Sequence, residues 1–160
     1  MKKLGNYISL HIAYSKDEEV RNRGTSGGVV SAVLINALNK KIIDAAVVIG
    51  MNDKEPWKPE VKIAKSRKEI LSAAGSKYIL IPIQDILGKI YQANGKLAVV
   101  GLPCHISVIR NMMEKGKIKN VRFLIGLFCG YNMPAKATDF LIKKSGVKKK
   151  DIELIILKRR

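Results

Sequence analysis

Leu97-Ala98-Val99-Val100-Gly101-Leu102-Pro103-Cys104-His105 reads as a short buried strand that stops at a turn. Its apolar run has no polar alternation, which is the pattern of a strand covered on both faces. A second run, Phe123-Leu124-Ile125-Gly126-Leu127-Phe128-Cys129-Gly130, has the same form and also stops at a cysteine. These are the chain's two cysteines. If the two strands are parallel neighbours, both thiols lie at one carboxyl edge. Open α/β sheets bind their ligands at that edge. Two thiols placed there suggest a metal cluster, a redox pair or a nucleophile.

Working outward, the second half alternates regularly. It reads as strand 97–101, helix 104–115, strand 121–128, helix 134–145 and strand 152–157. This βαβαβ order predicts a mostly parallel sheet. Asp85 to Asn94 reads as a helix with Gly95 as its C-cap. The first half is less regular. Residues 1–22 read as a polar lead-in whose structure the pattern does not settle. Val30, Val33, Leu34, Ala37 and Leu38 recur at helical spacing, so 29–40 reads as an amphipathic helix, with Thr25 or Ser26 as N-cap. Residues 42–50 read as a strand, 51–59 as a loop and 60–65 as a short strand. Ser66 with Glu69 forms a capping box for a helix over 66–74. Gly75 to Tyr78 reads as a turn into a strand at 79–81. The expected fold class is α/β, with a mostly parallel βαβ sheet in the second half and a smaller α+β N-terminal lobe. The boundary is expected between Gly88 and Gly95, dividing the chain into 1–90 and 91–160.

A length of 160 residues with 47% hydrophobic content suits one globular core. No apolar stretch approaches the roughly 18 residues of a membrane span, and Met1-Lys2-Lys3-Leu4-Gly5 leads into no long apolar signal region. Two cysteines without a signal point to a reducing cytoplasm. The formal charge is +17. Such a balance suits an anionic partner or a lysine-rich solvated surface. The densest cluster, Lys143-Lys144 through Lys148-Lys149-Lys150, carries no interleaved aromatics, and aromatic residues are 6% of the chain. That argues against a nucleic-acid-binding or other polyanion-binding module. Lys158-Arg159-Arg160 follows directly on the apolar run Ile152 to Leu157, an ending that suggests an incomplete chain.

Three segments carry candidate chemistry. Gly24-Thr25-Ser26-Gly27-Gly28 opens a helix, where free backbone N–H groups bind phosphate and glycine permits close approach. Arg21 and Arg23 stand beside it as candidate anion contacts. An ordinary N-cap turn is the plainer reading, because the pattern matches neither common nucleotide-loop signature. Gly75-Ser76-Lys77-Tyr78 reads as a surface connector, or as a turn that could hold a phosphate and stack on a ring. Cys104 follows Pro103 at a helix start, where the dipole favours thiolate. It would serve as a metal ligand, as a nucleophile or as a small buried side chain. His105 is adjacent only in sequence, and His11 has no evident partner.

Taken in order and spacing, Arg23 to Ala32, Gly75 to Tyr78, Val99 to His105 and Gly126 to Cys129 resemble the coenzyme F420 hydrogenase/dehydrogenase beta-subunit family. The resemblance runs from about Arg21 to Cys129. It implies a flavoprotein that binds FAD and a 4Fe–4S cluster. It also implies that electrons are delivered to coenzyme F420 as hydride. On this resemblance Arg23, Gly24, Thr25, Ser26, Gly27, Gly28, Ser76, Lys77 and Tyr78 match positions for cofactor contacts. Cys104 and Cys129 match cluster ligands. The implied partners are the other subunits of a hydrogenase or dehydrogenase complex. Family members are longer and carry further cysteines downstream. Two thiols cannot complete a four-cysteine cluster. The chain would then be a truncated or split product, a fragment, or a paralogue without the cluster. A cysteine-nucleophile enzyme using Cys104 is the rival reading; it needs a nearby base that the sequence does not identify.

Overall fold

Every residue of β3 (Leu97–Gly101) is buried, and the rest of the chain is arranged around it. The computed structural model describes residues 6–130 and 132–152. On one side β3 pairs in parallel with β1 (Ala45–Met51), which sets Ala45 against Leu97 and Val47 against Val99. On the other it pairs in parallel with β4 (Val121–Gly126), which sets Gly101 against Gly126. β2 (Pro59–Ala64) runs antiparallel to β1, giving the sheet order β2-β1-β3-β4. This is the mostly parallel α/β sheet that the alternation predicts. The sheet also runs across the Gly88–Gly95 region, since β1 and β2 precede it and β3 and β4 follow it.

The unbroken apolar runs arise because helices cover both faces. Ala46, Val48, Ala98 and Val100 face one layer, where Leu34 of α2 (Val29–Asn39) and Ile70 of α3 (Arg67–Ser72) meet them. Ala45, Val47, Leu97 and Val99 face the other. There they pack with Ile86 and Ile90 of α4 (Ile83–Gln92) and Ile109 of α5 (Pro103–Glu114). Successive strand residues thus serve opposite cores, as the pleat requires.

Several sequence readings shift. The lead-in over 1–22 runs into α1 (Glu18–Arg23), capped by the Asp17 carboxylate, which accepts from the Val20 amide. The six-residue helix shows no long periodicity, so the pattern gives little sign of it. Its Val20 is nevertheless buried, and Arg67 of α3 ties its N-terminal end down by pairing with Asp17 at 2.9 Å and Glu19 at 2.8 Å. Neither Thr25 nor Ser26 caps α2: the N-cap is Gly28, with φ 72° and no side-chain bond. Ser66 does cap α3, but the return bond from Glu69 goes to the Lys65 amide at 2.6 Å. The expected strand over 79–81 reduces to one parallel bridge between Ile79 and Met133. α4 ends at Gln92 with Ala93 as its C-cap, and Gly95 instead turns at φ 85° against the Asp44 carboxylate. α6 (Ala135–Ser145) ends at Gly146. The strand expected over 152–157 lies outside the described residues beyond Ile152. Among the described residues, no helix is long and apolar enough to cross a membrane.

Ile109 is fully buried between α5 and the sheet. Ile109→Ala should lower the unfolding free energy in urea by about 2–4 kcal/mol. A loss below about 1 kcal/mol would mean that α5 contributes little to this core.

Candidate functional site

The chain between α3 and α4 gathers the candidate residues. At its start, the Ser76 amide and hydroxyl both meet the Thr25 Oγ1, at 3.0 and 3.1 Å. These bonds join the two glycine-bearing turns across 51 residues of sequence. Two residues on, the Tyr78 carbonyl accepts from the Met133 amide at 2.8 Å, and the Leu80 amide donates to the Met133 carbonyl at 3.1 Å. Met133 lies shortly after Cys129. The Ile81 carbonyl meets the Nε2 of His105, next to Cys104, at 3.1 Å. One extended segment therefore touches the Gly-rich turn and the neighbourhoods of both cysteines.

In the Gly-rich turn, the glycines are required by the chain's own packing. A Cβ on Gly24 would stand 2.6 Å from the Gly28 Cα. One on Gly28 would collide with the Val20 carbonyl, and one on Gly27 would press on Tyr14. Gly27 and Gly28 both have positive φ, at 75° and 72°. That conformation is open to glycine and costly for other residues. The amides of Thr25, Ser26, Gly27 and Gly28 donate to no acceptor among the described residues. Thr25 and Ser26 are exposed. Unpaired donors at the start of an eleven-residue helix suit an anion.

The flanking cations are placed differently from the expectation. The Arg21 guanidinium donates to the Ser15 carbonyl at 3.2 Å and lies 5.8 Å from the Tyr14 ring centroid. Arg23 is exposed. The Lys77 ammonium turns back onto the C-terminal end of α3. There it donates to the carbonyls of Ala73, Ala74 and Gly75, the last two at 2.8 and 2.9 Å. Lys77 thus closes the helix end that the last carbonyls leave open. Burial pushes its pKa down to about 8.

Cys104 is the second residue of α5, so the Pro-Cys turn does place the sulfur at a helix start. Cys129 lies three residues beyond the end of β4. Gly101 and Gly126 are partners in the ladder, and each cysteine lies three residues past its glycine. The Leu127 amide donates to the Gly101 carbonyl at 2.9 Å, which carries the pairing past the strand ends. Both thiols are free and exposed beyond the same carboxyl edge. Among the described residues, no three His, Cys, Asp or Glu side chains gather as a metal site.

His105 is a structural residue. Its Nδ1 accepts from the Leu102 amide at 3.3 Å, which leaves Nε2–H to donate to Ile81. With both ring nitrogens engaged by backbone, it offers no free base to Cys104. The rival nucleophile reading thus gains no base from this neighbour. The sequence reading misses this role: Leu102 has no capping side chain, so no local pattern announces that His105 bonds back to its amide.

The fold is an α/β sheet with both thiols beyond one carboxyl edge. The family model for coenzyme F420 hydrogenase/dehydrogenase, beta subunit, N-terminal part, matches residues 10–88. Its companion for the carboxy-terminal part of the beta subunit matches residues 94–158. The chain belongs to the coenzyme F420 hydrogenase/dehydrogenase beta-subunit family. It is 33% identical over 150 residues to the coenzyme F420 hydrogenase subunit beta of Methanosarcina barkeri, covering 88% of this chain and 50% of that protein. It is 33% identical over 158 residues to the protein of the same name from Methanothermobacter thermautotrophicus, covering 94% and 56%. A chain of the xenon-derivatised F420-reducing NiFe hydrogenase complex from Methanosarcina barkeri superposes with a TM-score of 0.76 at 25% identity. That match covers 91% of this chain and 53% of the other. The chain thus spans about half the length of the relatives it matches.

The Lys77 environment fixes a pH dependence. The free lysine value is 10.5, against about 8 in the fold. Between these values the unfolded state holds more protons, so this group makes stability rise with pH. Below about 8 it is charged in both states and burial is at its most costly. In urea unfolding, wild type should gain on Lys77→Met by on the order of 1–2 kcal/mol between neutral pH and about pH 10. A flat or reversed difference would show that the three carbonyls outweigh burial.

Proposed function

We propose that this chain is a cofactor-bearing portion of an F420-linked oxidoreductase beta subunit, passing electrons through FAD to coenzyme F420 as hydride. The observation that carries the reading is the segment Ser76–Ile81, which joins the turn with free amides to the edge bearing both thiols. Family membership supports the coenzyme, since relatives are named as F420 hydrogenase and F420-dependent formate dehydrogenase beta subunits.

The donor sets fit the groups in different degrees. The amides of Thr25 to Gly28 would hold the FAD pyrophosphate, with Ser76 beside them and Arg23 as the nearest uncommitted cation of the set. Tyr78 would border the ring. Lys77 would act by holding this turn in place, because its ammonium is committed to α3. Cys104 and Cys129 would give two thiolates to a 4Fe–4S cluster, and the other ligands would come from further polypeptide. When bound, the flavin supplies the exchange between single electrons and a hydride pair. This chain's residues do the placing: the sheet edge fixes both sulfurs, and the turn offers the anion its donors.

Exposed apolar residues support docking into a larger assembly of hydrogenase or dehydrogenase subunits. Ile8, Leu10, Ile12 and Tyr14 lie exposed ahead of α1, and Phe128 is fully exposed beside Cys129. Apolar surface of this kind marks interaction sites. The expected cytoplasmic location belongs to the same reading.

Anaerobic purification with added iron, sulfide and FAD tests it. Stoichiometric retained flavin is expected, together with iron–sulfur absorbance when the downstream family segment is present. Cys104→Ser and Cys129→Ser should each abolish that absorbance and leave the flavin bound. Thr25→Val should weaken flavin retention about tenfold. A colourless protein that takes up no FAD under any of these conditions would sink the proposal.

A further inference from the structure

The sheet edge opposite the two thiols carries a row of cations. β1, β3 and β4 start there and antiparallel β2 ends there, with Ala45 against Leu97, Leu97 against Val121 and Ala46 against Ala64. The Asp44 amide donates to the Lys96 carbonyl at 2.7 Å and the Leu97 amide to the Asn120 carbonyl at 2.8 Å, so the connections are held side by side. Each of them carries lysine. Lys40 and Lys41 precede β1, Lys65 follows β2, Lys96 precedes β3, and Lys117 and Lys119 precede β4. All six are exposed. Neighbouring strands stand about 5 Å apart, so the row runs about 15 Å across the sheet. Between Lys41 and Lys65 the surface sinks into a recess of about 350 Å³, with Asn39, Asp44 and Ser66 in its walls.

The acids nearby do not balance this charge. The Asp44 carboxylate accepts from the Lys96 amide and the Glu69 carboxylate from the Lys65 amide, each at 2.6 Å. Asp17 and Glu19 are taken by Arg67, and Glu114 is exposed at the end of α5. Among the described residues, none of the six lysines forms an ion pair. Part of the row has a structural cause, because α2 and α5 end at this edge and cations complement the negative end of a helix. That cause does not reach Lys65, which stands before the start of α3, the end that disfavours a cation. Nor does it explain the backbone at Lys41. The Lys41 amide donates to the Leu38 carbonyl at 3.0 Å and the Ile42 amide to the Ala37 carbonyl at 2.9 Å, the Schellman close of a helix. It holds Lys41 at φ 55°, where glycine is the usual residue. α5 closes with the same pair of bonds and has Gly116 in the matching place, at φ 68°. A lysine thus stands where glycine would fold more easily.

We infer that this edge is a docking surface for an acidic protein partner, whose carboxylates meet the lysine row and enter the recess between Lys41 and Lys65. Charge complementarity carries the choice of partner. The large apolar side chains exposed near the row are few, Ile42 and Tyr91. A bilayer surface calls for a broad apolar face to insert, and a single-stranded nucleic acid for successive aromatics. A polar protein face needs neither. The inference stands apart from the cofactor reading, whose thiols lie beyond the opposite edge.

A short fluorescent oligoglutamate peptide is the probe. The full chain is mixed with it and a carbodiimide, which joins a lysine to a carboxylate in direct contact, and the products are mapped by mass spectrometry. Cross-links should concentrate at Lys41, Lys65, Lys96 and Lys119. Cross-links spread over all lysines, or gathered between Lys143 and Lys150, would overturn the surface. Affinity is followed by fluorescence anisotropy. The combined Lys41→Glu, Lys65→Glu, Lys96→Glu and Lys119→Glu variant should weaken the peptide about tenfold. Lys143→Glu, Lys144→Glu, Lys148→Glu and Lys150→Glu together change the net charge equally and should weaken it about twofold or less. Equal losses would mean that net charge alone holds the peptide, which overturns the inference. Lys41→Gly covers the case of a fourfold variant that folds poorly. Its urea midpoint should rise, because the turn suits glycine, while peptide affinity falls about two- to threefold. Unchanged affinity in Lys41→Gly would overturn the recess as the docking point. A short duplex DNA and vesicles of equal parts phosphatidylserine and phosphatidylcholine are run beside the peptide. If either of these, and not the peptide, loses binding selectively in the lysine-row variant, the partner is not a protein and the inference falls.

Discussion

The pair of hydrogen bonds from Ser76 to Thr25 is the contact on which the candidate site depends. Without it the Gly-rich turn would be a loop before a helix, and the Gly-Ser-Lys-Tyr turn a connector. With it, two stretches far apart in sequence become one surface. The neighbouring bonds extend the effect. Lys77 locks the segment onto α3, Met133 pairs with it from the far side, and His105 ties its end to the helix that carries Cys104. A segment with little regular secondary structure is thus fixed at four places. Its backbone groups find partners outside any sheet, which is how an irregular stretch stays ordered.

Charge and burial divide the work among the cations. The chain carries +17, yet two of the basic groups beside the turns, Arg21 and Lys77, are spent on internal carbonyls, which leaves Arg23. What remains for an anion is mainly the backbone itself. A nest of amides is a weaker attractor than a guanidinium, but it costs no side-chain ordering and stays put. The glycines serve the same end indirectly. Val20 and Tyr14 fill the space beside Gly24, Gly27 and Gly28, so the turn is held tight from behind.

Much of the sheet was legible in the sequence. Residues 97–101 lack polar alternation because both of their faces are covered, and that shows in composition alone; residues 121–126, at the sheet edge, are only partly buried, with Arg122 exposed. Ser66 and Glu69 marked the start of α3, and Pro103 marked the start of α5. Short or irregular pieces were not legible. The α1 helix is too brief to show a period, and the 79–81 stretch has strand-like residues yet pairs through a single bridge. Thr25 is as good an N-cap by type as by position, and only its contact with Ser76 shows that its oxygen is used elsewhere. His105 likewise carries no sign in the sequence that both of its nitrogens are bound.

By itself, the sequence determined that the strand before Cys104 is buried on two faces and that each cysteine follows an apolar strand. It also determined that glycines open α2, since local patterns of size, polarity and turn residues record those facts directly. Tertiary structure alone decided that the two strands are neighbours in register, so that Cys104 and Cys129 share one edge. It alone decided that Ser76 meets Thr25, and that the Trp57 N–H is buried without an acceptor among the described residues. These depend on pairings between residues dozens of positions apart, and no local pattern encodes which distant group will satisfy which donor.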